Sequence, residues 1–498
     1  MLIGTLSTSE AQQATTPPAI SPARQIPLSG REAQPGGVGS TLSTTPSPGV
    51  EGALVTRGTV TVEGAYQGSV PSGDNTGTIL PLRLDYALQL ALRQNLGALT
   101  EANAVRQAEG ARMVARSSLL PDINSVISET TEQLNLRTQG VETSAFPLAV
   151  GPFNYFDARA ARVTQAVVDL VRWRNLRTAS ENVKATILAA HDARDLIVLA
   201  VAGSYLEVVA TEARMAAAQA QVHTSEAVYQ QAVDRLKEGL NARIDTTRTH
   251  VQLQIDQLRL RSLQADRDRQ KLRLARLIGL PLGQDFSLAD DFPYAPLSNP
   301  KLDEALANAF RTRADLQAAQ AGVRAAGSAV SAARAERLPN LSLMADYGAS
   351  GLRPTAYAHG VFTVVGTLTI PLYQGGRVRG EVEQAEAALH QRQAEASDIR
   401  GRVDQDVRQA FIDIGAAADQ VDVARSNIEL AEDTLRQSRD RFLDGIADTI
   451  EVVQAQQSAI AAHDDYINAV FDHNLAKVAL ARAIGDAEHS LQQYLIRK

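Results

Sequence analysis

ERLPNLSLMADYGASG, residues 336–351, is the stretch that decides the fold, because a helical pattern stops there and an alternating pattern begins. The Ala-rich run before Pro339 is typical of a helix, and proline removes a backbone donor and ends it. After the proline, Leu341 and Tyr347 would face one side of an extended chain and Asp346 the other. The segment therefore predicts a change from helix to strand.

A second alternating segment follows, and each of the two strands is predicted to be about 11 residues long, the length of a tilted strand that crosses a bilayer. One apolar and one polar face is typical of a barrel with lipid outside and water inside. A strand of a soluble sandwich alternates equally, but no second sheet is predicted for it to pack on. The predicted lipid-facing residues are Leu341, Leu343, Tyr347, Phe362, Val364, Leu368 and Ile370.

The switch occurs twice because the chain contains an internal repeat. Leu84–Pro121 aligns without gaps to Leu302–Pro339, a shift of 218 positions, and the later part of each half aligns at a shift of 206. Pro121 is thus the twin of Pro339. Each unit is predicted to be a helix, a β-hairpin, a long helix, a tight turn and a helix, and the long helices carry apolar heptads.

These patterns divide the chain into four predicted parts. Residues 1–80 are a low-complexity leader, rich in Pro, Gly, Ser and Thr and predicted to be flexible, with a weak strand signal at 55–66 and a start that resembles a truncated signal peptide. The three following parts are repeat 1 at 81–301 (hairpin about 122–170, turn about 239–244), repeat 2 at 302–486 (hairpin about 340–371, turn about 444–448) and a tail at 487–498.

Composition excludes several classes of function. The chain has no cysteine, which rules out disulfides and thiolate metal or catalytic sites, and its net charge of −7 without a basic block argues against nucleic acid as a partner. We expect no transmembrane helix, because no run of about 18 apolar residues is evident. The eight histidines are scattered, and no nucleophile elbow or phosphate loop appears. We therefore expect no enzymatic activity, no cofactor and no metal site.

Four strands per chain cannot close a barrel with a lumen, so several chains must contribute, and the protein should be an obligate oligomer embedded in lipid. The alternative is a periplasmic coiled-coil structural or adaptor protein whose hairpins form a small soluble sheet.

At this point the sequence resembles the TolC family of outer-membrane efflux and secretion ducts. The resemblance covers residues 80–486 and rests on the duplicated LLP or RLP helix ends, on LTIPLYQGGRVRGEV (368–382) with its partner VTQAVVDLVRWRNL (163–176), and on RFLDGIADTIEVVQAQQ (441–457). It implies a TolC-like fold that mixes α-helices and transmembrane β-strands. Three chains would give a 12-stranded outer-membrane β-barrel and an α-barrel of long antiparallel coiled coils through the periplasm of a Gram-negative cell.

The resemblance further implies a passive homotrimeric channel of a tripartite efflux pump or a type I secretion system, which docks a periplasmic membrane-fusion (adaptor) protein and an inner-membrane pump. The two helical turns, with Gly239 and Gly445, would form a gated periplasmic tip, and Gly375 and Gly376 the bend from strand to helix. The residues implied at the constriction are Asp245, Asp448, Glu451 and Gln454, with Arg243 and Arg248 as latch partners. Capping and solvated-surface roles are the alternative for each of these side chains.

Overall fold

The computed structural model describes residues 37–46, 54–135, 149–239, 242–297, 301–353, 358–444, 446, 449–485, 487, 488, 491 and 495. Within these ranges the chain forms eight α-helices and eight β-strands. The helices are α1 (Leu84–Gln94), α2 (Leu96–Ser117), α3 (Leu170–Lys237), α4 (Arg243–Ile278), α5 (Leu302–Thr312), α6 (Ala314–Ala335), α7 (Arg377–Leu443) and α8 (Thr449–Ile484). The strands are β1 (Val38–Pro46), β2 (Leu54–Val62), β3 (Leu80–Leu82), β4 (Asp122–Asn135), β5 (Ala149–Val168), β6 (Phe286–Leu288), β7 (Asn340–Gly351) and β8 (His359–Thr369).

Two long helices, α3 and α7, organise the helical layer, and shorter helices flank them. Helix α3 packs against α2 and α6 along one half and against α4 and α8 along the other, and α7 packs against α6 and α8 in the same way. Each long helix is thus flanked by shorter helices along both halves of its length. The apolar heptads form the contacts, because Val403, Val407, Ala417 and Val421 are all buried.

The first helix of each repeat is broken, which the sequence did not indicate. In repeat 1 the break falls at Asn95, whose side chain accepts a hydrogen bond from the Gly97 amide at 2.9 Å and donates to the Leu277 carbonyl at 3.2 Å. The break in repeat 2 falls at the equivalent Arg313, which is buried between Asp315 and Asp406. Both breaks turn the chain around the end of a neighbouring helix.

Helix α3 corrects one expectation. It contains an 18-residue window with a mean hydropathy of 1.6, apolar enough by length and composition to cross a membrane. In this structure 67% of that window is buried inside the chain. The apolar run is therefore accounted for by packing, since Ile197, Val201 and Tyr205 belong to the main hydrophobic core.

Four strands form one antiparallel sheet in the order β4-β5-β7-β8, so that β5 and β7 join the two repeats. The register aligns one apolar row and, next to it, one polar row across all four strands. The apolar row is Ile123, Val163, Ala345 and Val364. The polar row is Asn124, Arg162, Asp346 and Thr363. The faces predicted for the second hairpin thus continue across the first.

The first hairpin alternates less clearly in sequence because its strands contain irregularities. The extra residue lies in β5: two positions of β4, from Asn124 to Val126, face three of β5, and the same strand has an additional residue between Arg159 and Ala161 where it pairs with β7. Each extra residue reverses which sequence positions face the apolar side. A strict period of two is therefore lost in the sequence although each face is kept in space.

The prediction that the whole of 1–80 is a flexible leader is wrong for the described part of it. Strands β1 and β2 pair antiparallel from Val38↔Val62 to Pro46↔Leu54, and β3 pairs in parallel with β6. Between them Ser69 bridges to Asn95, and the Asn75 side chain donates to the Gly283 carbonyl at 2.8 Å. These tertiary contacts give order to a segment whose composition cannot support a core of its own.

Candidate channel site: the strand sheet and the helical tip

Both prolines stand between the end of a helix and the start of a strand. Helix α6 ends at Ala335, and a last turn follows in which the Leu338 amide donates to the Ala335 carbonyl at 2.9 Å. Pro339 then has no amide to continue the helix, and β7 begins at the next residue. Pro121 stands in the same way before β4. The two helix-to-strand switches lie where the sequence predicted them.

The return from strand to helix uses two successive glycines in the left-handed region. Gly375 has a φ of 60° and Gly376, the N-cap of α7, a φ of 86°. Arg377, the next residue, forms ion pairs with Glu381 at 2.6 Å and with Glu336 at 2.7 Å. The second pair connects the helix that enters the hairpin with the helix that leaves it.

Six of the seven residues predicted to face lipid share one face of the sheet, and the seventh, Ile370, directly follows the end of β8. Leu341 pairs with Leu368 and Tyr347 with Phe362, so apolar side chains stand next to each other across β7 and β8. Phe362 is 78% exposed and Tyr347 66% exposed, whereas Leu341 is half-buried. Leu343, Val364, Leu368 and Ile370 are exposed as well. Large apolar side chains on an open face indicate a surface that meets an apolar environment.

The opposite face carries a charge cluster that the sequence analysis did not identify. Arg159 in β5 lies 2.6 Å from Asp346 in β7 and 2.9 Å from Asp157, and Arg162 lies 4.0 Å from Asp346. The Asp346 side chain is only 4% exposed. Gly348 permits this approach, because a Cβ there would stand 2.0 Å from the Ala158 carbonyl oxygen. The sequence contains the polar residues of this row, but which of them lie next to each other follows only from the strand register.

At the far ends of the long helices, the first predicted tip turn contains Gly239 with a φ of 75°. Helix α4 then begins at Arg243, and Asp245 lies in its first turn, where a negative charge favours the helix N-terminus. Arg248 lies 3.7 Å from Asp245. The structure thus brings one of the two predicted arginines to Asp245, within the same helix.

The second tip turn is described only in part, since Gly445 and Asp448 lie outside the described residues. Glu451 in the first turn of α8 forms an ion pair with Arg441 near the end of α7, at 3.4 Å. Gln454 is exposed, one turn further along α8. The sequence analysis did not identify Arg441, although it stands ten positions before Glu451 in a helical hairpin, where antiparallel helices bring such residues together.

A second unpredicted arginine connects the two tip turns. Arg235 near the end of α3 donates to the Phe442 carbonyl of α7 at 3.2 Å, and its guanidinium lies 4.7 Å from the centre of the Phe442 ring. A cation over an aromatic face is attracted to it. This contact joins the α3–α4 and α7–α8 pairs close to Glu451.

Higher along α8, buried polar residues hold the chain that links the repeats. Asn474 donates to the Phe292 carbonyl at 3.2 Å and Lys477 to the Ala295 carbonyl at 2.5 Å, while the His473 ring packs edge-on against Tyr294. Burial lowers the pKa of His473 to about 4, with a smaller effect of the neighbouring Lys477 charge. Burial likewise lowers the pKa of Lys477 to about 8.

Comparison with known proteins agrees with this architecture. Residues 302–486 match the family model described as outer membrane efflux protein. The pyoverdine export outer membrane protein OpmQ of Pseudomonas putida is 24% identical over 416 residues, which cover 81% of this chain and 85% of that protein. Nodulation protein T of Rhizobium leguminosarum bv. trifolii is 22% identical over 418 residues, with the same two coverages of 81% and 85%.

Solved structures show the same fold. A membrane protein from Pseudomonas aeruginosa superposes with a TM-score of 0.72 at 18% identity, over 84% of this chain and 96% of that one. The outer membrane protein VceC of Vibrio cholerae gives a TM-score of 0.69 at 19% identity, over 81% and 96%. The predicted fold class is therefore confirmed. Together, these comparisons show that the chain has the fold of these outer membrane proteins and that its second repeat, residues 302–486, matches the outer membrane efflux protein family.

Proposed function

We propose that three copies of this chain form a passive efflux channel through the outer membrane, with a barrel of twelve strands and a helical tunnel below it. The observation that carries the proposal is the open four-stranded sheet, whose order leaves β4 and β8 at its edges. An open edge is not tolerated in lipid, because unpaired backbone groups cost several kcal/mol each there. Pairing of β8 with β4 of the next copy closes the sheet.

The two faces of the sheet suit such a barrel. Exposed Phe362 and Leu368 would meet lipid, and the polar row with Arg162 and Asp346 would line the water-filled side. The number of strands is also consistent with three chains, because a barrel needs at least about eight strands for its interior to hold even a small ligand. One chain supplies four strands, and three chains supply twelve.

The gate is proposed at the helical tip. Three copies of Glu451 would form an acidic ring around the axis. Three copies of the uncharged Gln454 would form a second ring, one helical turn further along α8. Arg441 holds Glu451 in the present structure, and Arg235 holds the two tip turns together through Phe442. Movement of the α7–α8 pair away from the α3–α4 pair would break the Arg235–Phe442 contact, whereas the Arg441–Glu451 ion pair lies within the α7–α8 pair. A periplasmic adaptor and an energised inner-membrane pump would supply the work for this movement, in line with the exporters among the relatives.

Reconstitution tests the channel. We expect the chain, extracted with detergent, to run as a trimer by light scattering and to give discrete conductance steps in planar bilayers. A Phe362→Asp variant, which places a charge on the proposed lipid face, should lose membrane insertion, whereas Thr363→Asp on the other face should retain it. A monomer that is soluble without detergent and gives no steps would instead support the periplasmic coiled-coil alternative.

A further inference from the structure

The β1–β2 hairpin covers one face of the helical layer with its apolar side. Its register places Val60, Val62 and Val38 on the side of the helices and Thr41 and Thr59 on the other side, where their hydroxyls lie 3.0 Å apart and are exposed. This is the alternation of a strand pair with one buried and one solvated face. The hairpin is thus packed onto the helices as part of the fold, and its outer face carries threonine hydroxyls.

The hairpin is fitted closely to α3 and α8. The Gly58 amide donates to the Asp472 carboxylate of α8 at 2.7 Å. On α3, Gly203 makes room for Val60, because a Cβ at Gly203 would stand 2.4 Å from a Val60 methyl carbon. A side chain at Gly58 would in turn meet Leu475 at 2.8 Å.

The segment that links the repeats lies on the opposite face of the same two helices. Tyr205, two residues after Gly203, packs edge-on against Phe292 of that segment, with ring centres 5.9 Å apart, and Asn474, two residues after Asp472, donates to the Phe292 carbonyl. Two residues correspond to a rotation of about 200° around a helix. The hairpin and the linking segment therefore cover opposite sides of the layer.

The position of Glu451 decides which side is the lumen, and this step rests on the proposed function. Glu451, Ser458, Asp465 and Asp472 recur every seven residues along α8, as do Gln454, Ala461, Asn468 and Leu475. In a coiled coil such positions form one continuous stripe. If Glu451 faces the channel axis at the tip, Asp472 and Leu475 face it higher up, and the hairpin covers them there.

We propose that the β1–β2 hairpin lies inside the tunnel and that three copies form a collar, with threonine hydroxyls on its exposed face, that limits the size of the cargo. Twelve helices spaced roughly 10 Å apart enclose a lumen roughly 30 Å wide. A hairpin layer about 10 Å thick on the wall would narrow it to about 10 Å. The collar would limit the size of the cargo because it narrows the lumen, whereas the acidic tip would select by charge.

Cysteine labelling tests the location, since the chain has no native cysteine. Thr41→Cys carries its thiol on the exposed side of the hairpin, and Ser287→Cys is the matched control, an exposed residue of β6 next to the linking segment. We expect a bulky maleimide–polyethylene glycol to label both in the intact trimer but to reduce the single-channel current only at Thr41→Cys. Unchanged current after full labelling of Thr41→Cys, or failure to label it in the intact trimer, would overturn the collar.

Deletion of residues 38–62 tests the size limit. We expect the deleted trimer to admit larger polyethylene glycols from the barrel side than the full chain does. Gly203→Ala should also increase the exclusion size, because its added Cβ pushes Val60 and the hairpin away from α3. Gly415→Ala, whose added Cβ meets nothing within 4 Å, should leave the exclusion size unchanged. An unchanged exclusion size in a trimer that still conducts would contradict the collar but not the proposed channel function. A full-length chain that forms no conducting trimer would contradict the proposed function instead.

Discussion

Arg159 and Asp346, which belong to different repeats, form an ion pair at 2.6 Å across the β5–β7 boundary of the sheet. The two residues are 187 positions apart, and the Asp346 carboxylate is buried under the two arginines of β5. This contact connects the two halves of the duplication within the four-stranded sheet. The two strands can come close enough for this ion pair only because residue 348 is a glycine, since a Cβ there would collide with the β5 backbone.

Asp346→Asn should weaken the assembled channel. The substitution removes the negative charge that lies near both Arg159 and Arg162, so that Asp157, which pairs with Arg159, is the remaining carboxylate of the cluster. Two neighbouring positive charges on a largely buried face are then less well balanced, which is costly. We expect the temperature at which the oligomer dissociates in detergent to fall clearly below that of the unmodified chain. Asp122→Asn, at the exposed start of β4, serves as the control and should change it little. Equal dissociation temperatures for the two variants would show that the ion pair does not hold the repeats together.

Glu451→Gln should weaken block of the channel by divalent cations applied from the tip side. Three surface carboxylates are lost, and we expect roughly tenfold weaker block, equivalent to about 1.4 kcal/mol shared among the three. Arg441→Gln should act in the opposite direction, because it removes the positive charge that lies 3.4 Å from the Glu451 carboxylate. Glu304→Gln, exposed on α5, provides a control of the same chemistry. Identical block in all four proteins would remove Glu451 from the constriction.

Gly376→Ala should destabilise the bend from strand to helix. Gly376 has a φ of 86°, and an added Cβ there meets no other atom within 4 Å, so the cost is that of the backbone conformation alone. A left-handed conformation costs an L-residue about 1–2 kcal/mol. Gly380→Ala, a helical glycine four residues later with equally open surroundings, should instead stabilise by about 0.5–1 kcal/mol. Urea unfolding of the detergent-solubilised protein measures both, and opposite signs are the expected result.

His473 should make the helical layer sensitive to acid. Its pKa falls from the ordinary 6.5 to about 4 on folding, so between these two values the unfolded chain binds a proton that the folded chain does not. The stability is fully present above pH 6.5 and declines as the pH falls toward 4. We expect a loss on the order of 1 kcal/mol per protomer between pH 7 and pH 5.

Replacement of the histidine should remove this part of the pH dependence. His473→Phe retains an aromatic ring against Tyr294 and cannot titrate, whereas His223→Gln alters an exposed histidine. Denaturant midpoints at pH 7 and pH 5 for the three proteins give the comparison. A pH dependence that persists undiminished in His473→Phe would place the acid-sensitive group elsewhere.

Much of the site could be predicted because its signals are local. Pro121, Pro339 and the glycines at 375 and 376 stand where expected, since each acts through its own backbone. Arg441 and the Arg159–Asp346 pair were missed for the opposite reason. Their partners depend on how two helices or two strands align, and the irregularity at Arg159 hides that alignment from a period-of-two pattern.

The sequence by itself determined the duplicated unit, the long heptad helices, the strands that follow the prolines and the need for more than one chain. These features follow from periodicity and from the backbone limits of proline and glycine, which act over a few residues. Only the tertiary structure decided that β5 pairs with β7, that Arg441 pairs with Glu451, and that β1 and β2 pair with each other on α3 and α8. A hairpin rich in threonine and glycine gains its order from the surface it covers, and that surface exists only after the helices have assembled.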